Sequence, residues 1–160
     1  MNHEDAPRRA WRDHTARPDD AFPGEDIDRP VRRFRTLWIS DLHLGTPGCQ
    51  VDALLDFLKY TECDTLFLVG DIVDGWQLRR QWHWPQAHND VVQKLLRKAR
   101  KGTRVIYIPG NHDEFARKYL HNNFGGIEVA EDWVHETADG RKLWILSIWR
   151  RQIPANLFRN

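Results

Sequence analysis

The segment Thr65–Asp74, with the sequence TLFLVGDIVD, decides the fold. Its apolar run has no alternating polar residues, which is typical of a strand that is covered on both faces of a parallel sheet. A glycine and an aspartate follow the run at once, and a second aspartate comes three residues later. The sequence therefore places two carboxylates directly beyond the carboxyl end of a buried strand.

The same pattern occurs on both sides of this segment. The apolar run Leu37–Ile39 leads into SDLHLG, and the run Val105–Ile108 leads into PGNHD. Apolar residues at helical spacing predict one helix over about residues 50–60 and another that begins near Pro85 and ends before Gly102. Three strand, loop and helix units predict an α/β fold, with a mostly parallel sheet and flanking helices. Ligands bind such sheets at the carboxyl ends of the strands.

The rest of the chain predicts a less regular organisation. Residues 1–34 are rich in Arg, Asp and Pro without apolar periodicity, so we expect a disordered leader, with order beginning at Thr36. The ordered domain is expected over 35–149. In it we expect a helix near 114–122, and strands over 127–137 and 141–149 joined by a turn at Asp139-Gly140. Residues 150–160 form a tail without clear periodicity.

Composition excludes several classes of function. The chain has 160 residues, with 24 Lys and Arg against 23 Asp and Glu, so its net charge of +1 gives no sign of nucleic-acid binding. Two cysteines are too few for a disulfide framework. No apolar run approaches the roughly 20 residues of a membrane-spanning helix. The N-terminus has no apolar signal region. We therefore expect the cytoplasm as its location.

Five residues at the ends of the three apolar runs could carry chemistry. Carboxylate, imidazole and amide groups together suit Mn, Fe or Zn, and these groups are provided by Asp41, His43, Asp71, Asn111 and His112. Taken singly, an aspartate after a strand is more often a helix cap or a turn former. The joint order D-x-H, G-D-x-x-D and G-N-H-D, with each motif at the end of its own strand, favours a shared metal site.

These three motifs resemble the first three signature blocks of the calcineurin-like metallophosphoesterases, over roughly residues 36–147. The resemblance implies the N-terminal half of that family's α/β/β/α sandwich and a hydrolase with two divalent cations, manganese first, with iron or zinc as alternatives. By it, Asp41, His43 and Asp71 hold the first ion, and Asp71 and Asn111 hold the second. It also implies that His112 is catalytic, that Asp74 supports the ligands, and that Asp113 orients His112.

A narrower resemblance concerns the substrate. The stretches Gly70–Trp76, Trp82–Pro85 and Val105–His112 are similar to bacterial UDP-2,3-diacylglucosamine diphosphatase-like proteins. This similarity implies hydrolysis of a nucleotide-lipid pyrophosphate in lipid A synthesis, and it leaves peripheral contact with the inner membrane open. The alternatives are a phosphodiesterase or phosphatase with another phosphorylated substrate, or a non-catalytic metal-binding fragment.

Aromatic and basic residues follow the second motif. Trp76, Trp82 and Trp84, together with Arg79 and Arg80, could hold an anionic, partly apolar substrate by stacking and phosphate pairing. The tryptophans could equally pack the end of the domain or a dimer contact. The remaining histidines of the domain lack a motif partner, so we expect surface or hydrogen-bonded interior positions for His83, His88, His121 and His135.

The family pattern continues beyond the third motif with a His-Gly after a strand and a Gly-His-x-His block. Here Leu146 runs instead into Ser147-Ile148-Trp149, and no Gly-His-x-His follows. The resemblance therefore implies a weakened second metal site and an incompletely covered sheet face that could form a dimer. A truncation, a frameshifted end and a genuine short form all remain open.

Overall fold

The computed structural model describes residues 29–147. Seven strands and three α-helices follow one another in chain order: β1 (Arg32–Ser40), α1 (Val51–Lys59), β2 (Thr61–Val69), α2 (Gly75–Arg80), α3 (Gln86–Arg100), β3 (Arg104–Ile108), β4 (Asn123–Phe124), β5 (Ile127–Val129), β6 (Asp132–Glu136) and β7 (Lys142–Leu146). A 3₁₀-helix over Glu114–Tyr119 lies between β3 and β4.

The main sheet has five strands in the order β1-β2-β3-β5-β4. Its first four strands are parallel, and the short strand β4 pairs antiparallel with β5. The helices α1, α2 and α3 connect the parallel strands, which confirms the α/β class and the mostly parallel sheet. Because the strands are parallel, β1, β2 and β3 all end at the same edge of the sheet.

Both faces of the interior strand β2 are buried over Leu66–Leu68. Leu66 and Leu68 belong to the cluster that includes Leu58 of α1 and Val91 of α3. Phe67 points to the opposite face and belongs to a second cluster, with residues of β3 and of the hairpin β6–β7. This two-sided burial explains why the strand has a continuous apolar sequence.

The first strand begins earlier than expected. We expected order from Thr36 and a leader through residue 34, but β1 begins at Arg32, which pairs with Thr61. Arg33 forms an ion pair with Glu62, 3.2 Å apart. Backbone pairing requires no apolar side chains, so a charged sequence concealed this part of the strand. The remainder of the expected leader, residues 1–28, and the tail from residue 148 lie outside the described residues.

After β3, one expectation was wrong and another was confirmed only in part. The expected strand 127–137 is divided into β5, in the main sheet, and β6, which pairs only with β7. The division falls at Ala130, which is buried and donates its N–H to the carbonyl oxygen of Tyr107. The helix expected near 114–122 is present, but it is a 3₁₀-helix that ends at Tyr119, two residues before His121, whose φ is 66°. The turn at Asp139-Gly140 is confirmed, since Thr137 pairs with Arg141 across it.

Among the described residues, the hairpin β6–β7 covers only part of the face of the main sheet on which Phe67 lies. Trp38 stacks on Phe67, with the ring centroids 6.0 Å apart, yet it is 46% exposed. A dimer through this face stays a prediction. Within residues 29–147, no helix combines the length and apolarity that crossing a bilayer requires.

We expect Phe67→Ala to lower the free energy of unfolding by about 3–5 kcal/mol, because Phe67 is fully buried in the second cluster, among residues of β3 and of the hairpin. Urea unfolding followed by circular dichroism measures this change. Phe57→Ala, at a partly exposed position on α1, is the matched control and should cost much less. Equal losses in the two variants would show that the second cluster contributes little to stability.

Candidate metal centre

The loops that follow β1 and β2 are joined by backbone hydrogen bonds. The N–H of His43 donates to the carbonyl oxygen of Asp71 at 2.9 Å, and the N–H of Leu44 donates to Ile72 at the same distance. In return, the N–H of Asp74 donates to the carbonyl oxygen of Leu44 at 2.8 Å. The D-x-H and G-D-x-x-D motifs are therefore held side by side by their own backbone.

Three predicted metal ligands lie in the left-handed region of backbone conformation. The φ angles of Asp41, His43 and Asp71 are 54°, 49° and 47°. This region is sparsely populated by residues other than glycine, and such strain often occurs at functional sites. One potential ligand atom from each of these residues lies within 4.8 Å of the others. Two carboxylates and one imidazole are a donor set that fits a divalent cation.

The third loop approaches Asp71 so closely that it requires a glycine. A Cβ atom on Gly110 would lie 2.2 Å from Oδ1 of Asp71 and 2.4 Å from its backbone nitrogen. Two residues later, the N–H of His112 donates to the same Oδ1 at 2.9 Å. Asn111 lies between these two contacts and is half-buried. Its position beside Asp71 suits the predicted role at a second ion, which stays a prediction.

Asp74 connects two histidines of the site. Its Oδ2 atom lies 3.1 Å from Nδ1 of His43 and 3.0 Å from Nδ1 of His112, the latter without the alignment of a hydrogen bond. Its Oδ1 atom accepts the N–H of Gln77 and caps α2. Because Nδ1 of His43 faces this carboxylate, Nε2 is the nitrogen left for a cation, an arrangement common in metal sites.

The charged form of Asp74 is favoured by these contacts. Burial raises the pKa of its carboxyl, but the Gln77 N–H and the rings of His112 and His43 outweigh that effect and leave the pKa below its usual value. A carboxylate is therefore maintained between the two imidazoles. This supports the expected role of Asp74 behind the ligands.

Asp113 does not contact His112 in the expected way. Its carboxylate is fully buried and accepts backbone N–H groups from Ile72 at 3.0 Å, Val73 at 2.7 Å and Gly110 at 2.9 Å. The side chain thus points into the interior and joins the second loop to the third. The carboxylate that lies beside His112 belongs to Asp74.

A sequence profile described as calcineurin-like phosphoesterase matches residues 34–150. The chain belongs to the calcineurin-like phosphoesterase family. This is a family of hydrolases, and the three motifs that converge here lie within the matched region.

Two similar proteins place this phosphoesterase domain among its relatives. It is 38% identical over 90 residues to a UDP-2,3-diacylglucosamine hydrolase from Chromohalobacter salexigens, an alignment that covers 49% of this chain and 32% of that protein. The chain therefore spans about a third of the length of this curated relative. It is also similar to a solved structure, the Pseudomonas putida nuclease MPE, with 23% identity, a TM-score of 0.40 and coverage of 64% of this chain and 50% of that one.

The helix α2 places an aromatic ring of the phosphoesterase domain against His112. The ring centroid of Trp76 lies 4.4 Å from that of His112 at an interplanar angle of 36°, and Trp76 is 45% exposed. Arg79 and Arg80, in the last turn of the same helix, are exposed. Trp76, Arg79 and Arg80 therefore lie on one short helix beside the site, whereas Trp82 and Trp84 follow it and Trp84 packs against the first core cluster, next to His88.

One histidine that sequence reasoning treated as unremarkable lies next to the loop after β1, which carries the predicted ligands Asp41 and His43. His88 of α3 is 2% exposed, and its Nδ1 atom accepts the N–H of Gly45 at 3.0 Å. Its interior, hydrogen-bonded position was among the expectations, but its partner was not. No motif links His88 to Gly45, which lies 43 residues away, so only the fold reveals the contact.

The hairpin also reaches the site. Ser147, where the resemblance led us to expect His-Gly, is buried directly after β7. A Cβ atom on Gly70 would lie 3.1 Å from its Oγ atom. The position after β7 therefore lies beside the loop after β2, but it carries a hydroxyl rather than an imidazole.

We expect Asp113→Ala to lower the free energy of unfolding by about 3 kcal/mol or more, because it leaves three backbone N–H groups, two of them buried, without their acceptor. Thermal and urea unfolding measure the loss. Glu114→Ala removes the adjacent, exposed carboxylate and should change stability by about 0.5 kcal/mol at most. A similar small effect from both variants would contradict a structural role for Asp113.

Proposed function

We propose that this chain carries the catalytic metal-binding part of a phosphoester or pyrophosphate hydrolase. The observation that carries this proposal is the shared carboxylate of Asp74, which lies between a candidate metal ligand, His43, and a candidate catalytic residue, His112. Divalent cations, when bound, acidify water and offset the negative charge that develops on a phosphoryl group.

The side chains have distinct tasks in this proposal. Asp41, His43 and Asp71 hold the first cation, while Asp71 and Asn111 contribute to the second. The carboxylate of Asp74 orients the His112 ring by facing its Nδ1 atom. Nε2 of His112 is then the nitrogen that can stabilise the phosphoryl group or protonate the leaving oxygen. Manganese is our first choice of metal, with iron or zinc as alternatives.

We further propose a nucleotide-lipid pyrophosphate of the UDP-2,3-diacylglucosamine type as substrate. The named relative from Chromohalobacter salexigens and the exposed Trp76, Arg79 and Arg80 support this choice. The guanidinium groups of Arg79 and Arg80 can pair with a diphosphate. The exposed indole of Trp76 suits contact with an apolar or planar group. Such a substrate places the reaction in lipid A synthesis, in the cytoplasm and at the periphery of the inner membrane. Another phosphorylated substrate is the alternative.

Hydrolysis of bis-p-nitrophenyl phosphate by the purified chain with Mn²⁺ tests the reaction. We expect Asp71→Ala to reduce turnover by at least about 100-fold, because Asp71 contributes to both proposed cation sites. Asp52→Ala, which removes an exposed carboxylate on α1, should leave turnover unchanged. A folded wild-type chain without turnover would instead indicate a non-catalytic metal-binding fragment.

Substitution of both Arg79 and Arg80 with Ala tests the substrate class. We expect KM for UDP-2,3-diacylglucosamine to rise by about tenfold with little change in kcat. The reason is that the two guanidinium groups bind the diphosphate equally in the ground state and in the transition state. Substitution of Arg97 and Arg100 with Ala, at the far end of α3, is the matched control. An unchanged KM would exclude binding of the diphosphate by Arg79 and Arg80. Hydrolysis of bis-p-nitrophenyl phosphate without hydrolysis of UDP-2,3-diacylglucosamine would indicate another substrate.

A further inference from the structure

We propose that His88 is a positioning residue for the metal-binding loop, which it holds through the backbone N–H of Gly45. The proposal rests on the proposed metal-dependent function, because it concerns the affinity of the loop for a cation. His88 belongs to α3 and lies outside the three motifs. Its hydrogen bond is made to Gly45 and not to a proposed ligand, so in this proposal it acts through the loop.

The contact is buried and geometrically specific. Nδ1 of His88 accepts the N–H of Gly45 at 3.0 Å, and the imidazole is almost completely enclosed. Gly45 has a φ of 101°, and a Cβ atom there would lie 2.7 Å from Cγ of Leu78. Gly45 is therefore fixed between α2 on one side and the His88 ring of α3 on the other.

Gly45 is only two residues from the ligand His43, whose φ of 49° is unfavourable for a side-chain-bearing residue. Before Gly45, the loop is held by the N–H groups of His43 and Leu44, which donate to the second loop. At Gly45 the acceptor comes from His88 instead. Without it, a buried N–H loses its partner, and a shift of the loop that exposes this group to water becomes favourable.

The position suits an imidazole that remains neutral. To accept the N–H of Gly45, the Nδ1 atom of His88 must carry no proton. Burial is the larger cause that lowers the pKa of His88, with a smaller contribution from the nearby His83, so burial by itself favours the accepting form. The rings of His83 and Trp84 lie 5.8 Å and 5.5 Å from that of His88, both nearly perpendicular to it.

Three variants of the full chain separate this role from simple packing. His88→Asn keeps an acceptor oxygen near the place of Nδ1, whereas His88→Leu fills the space without an acceptor. His83→Leu removes the neighbouring ring, which makes no hydrogen bond to the loop among the described residues, and is the matched control. The measurements are the exchange rate of the Gly45 amide proton by NMR without metal, and the Kd for Mn²⁺ by calorimetry.

We expect His88→Leu to accelerate exchange at Gly45 and to raise the Kd for Mn²⁺, each by about tenfold. His88→Asn and His83→Leu should stay within about threefold of the wild-type values. Should His88→Leu fail to fold, His88→Gln replaces it, because its amide reaches toward the place of Nε2 and leaves Gly45 without an acceptor.

Unchanged Gly45 exchange in the variant without an acceptor would overturn the proposal. Faster exchange with an unchanged Kd for Mn²⁺ would also overturn it, because the loop would then bind the cation without support from His88. A wild-type chain that binds Mn²⁺ but does not hydrolyse bis-p-nitrophenyl phosphate would refute the proposed function. In that case the exchange rates and the Kd values still decide the role of His88.

Discussion

The hydrogen bonds between the first two loops are the constraint on which the site depends. They hold the backbone at Asp41, His43 and Asp71 in left-handed conformations that each residue alone would rarely adopt. The strain persists because neighbouring groups fix each loop from both sides. Without these bonds the three side chains could rotate away from one another, and the donor set for a cation would be lost.

Asp113 and Asp74 have different roles, because the first supports the loops and the second lies beside two histidines. Asp113 is buried and binds three backbone N–H groups, so it fixes the second loop against the third. Asp74 lies at the boundary of the interior, where one oxygen caps α2 and the other faces two imidazoles. The carboxylate of Asp113 accepts neutral backbone N–H groups, whereas the carboxylate of Asp74 faces two imidazoles, which are ionisable. The rigid scaffold is thereby separated from the residues that are proposed to act on substrate.

The regular elements were predictable where side-chain burial and backbone pairing coincide. The core of β2 has an apolar sequence because both faces are covered, and α3 shows its buried stripe at helical spacing. Prediction failed where pairing continues without burial, as at the charged start of β1. It also failed at Ala130 and Glu131, where the chain passes from the main sheet to the hairpin without a glycine or proline to mark the change. The short helix α2 has too few residues to show a periodicity.

The sequence by itself determined the α/β class, the family and the set of potential ligands, because apolar runs and the motifs at their ends are local properties. Only the tertiary structure decided which carboxylate faces His112, which histidine supports Gly45 and which residue of the hairpin approaches Gly70. In an irregular loop the direction of a side chain follows from φ and ψ, which contacts from distant strands and helices impose. Spacing along the chain cannot supply that information, since residues 31 and 43 positions apart meet here at hydrogen-bonding distance.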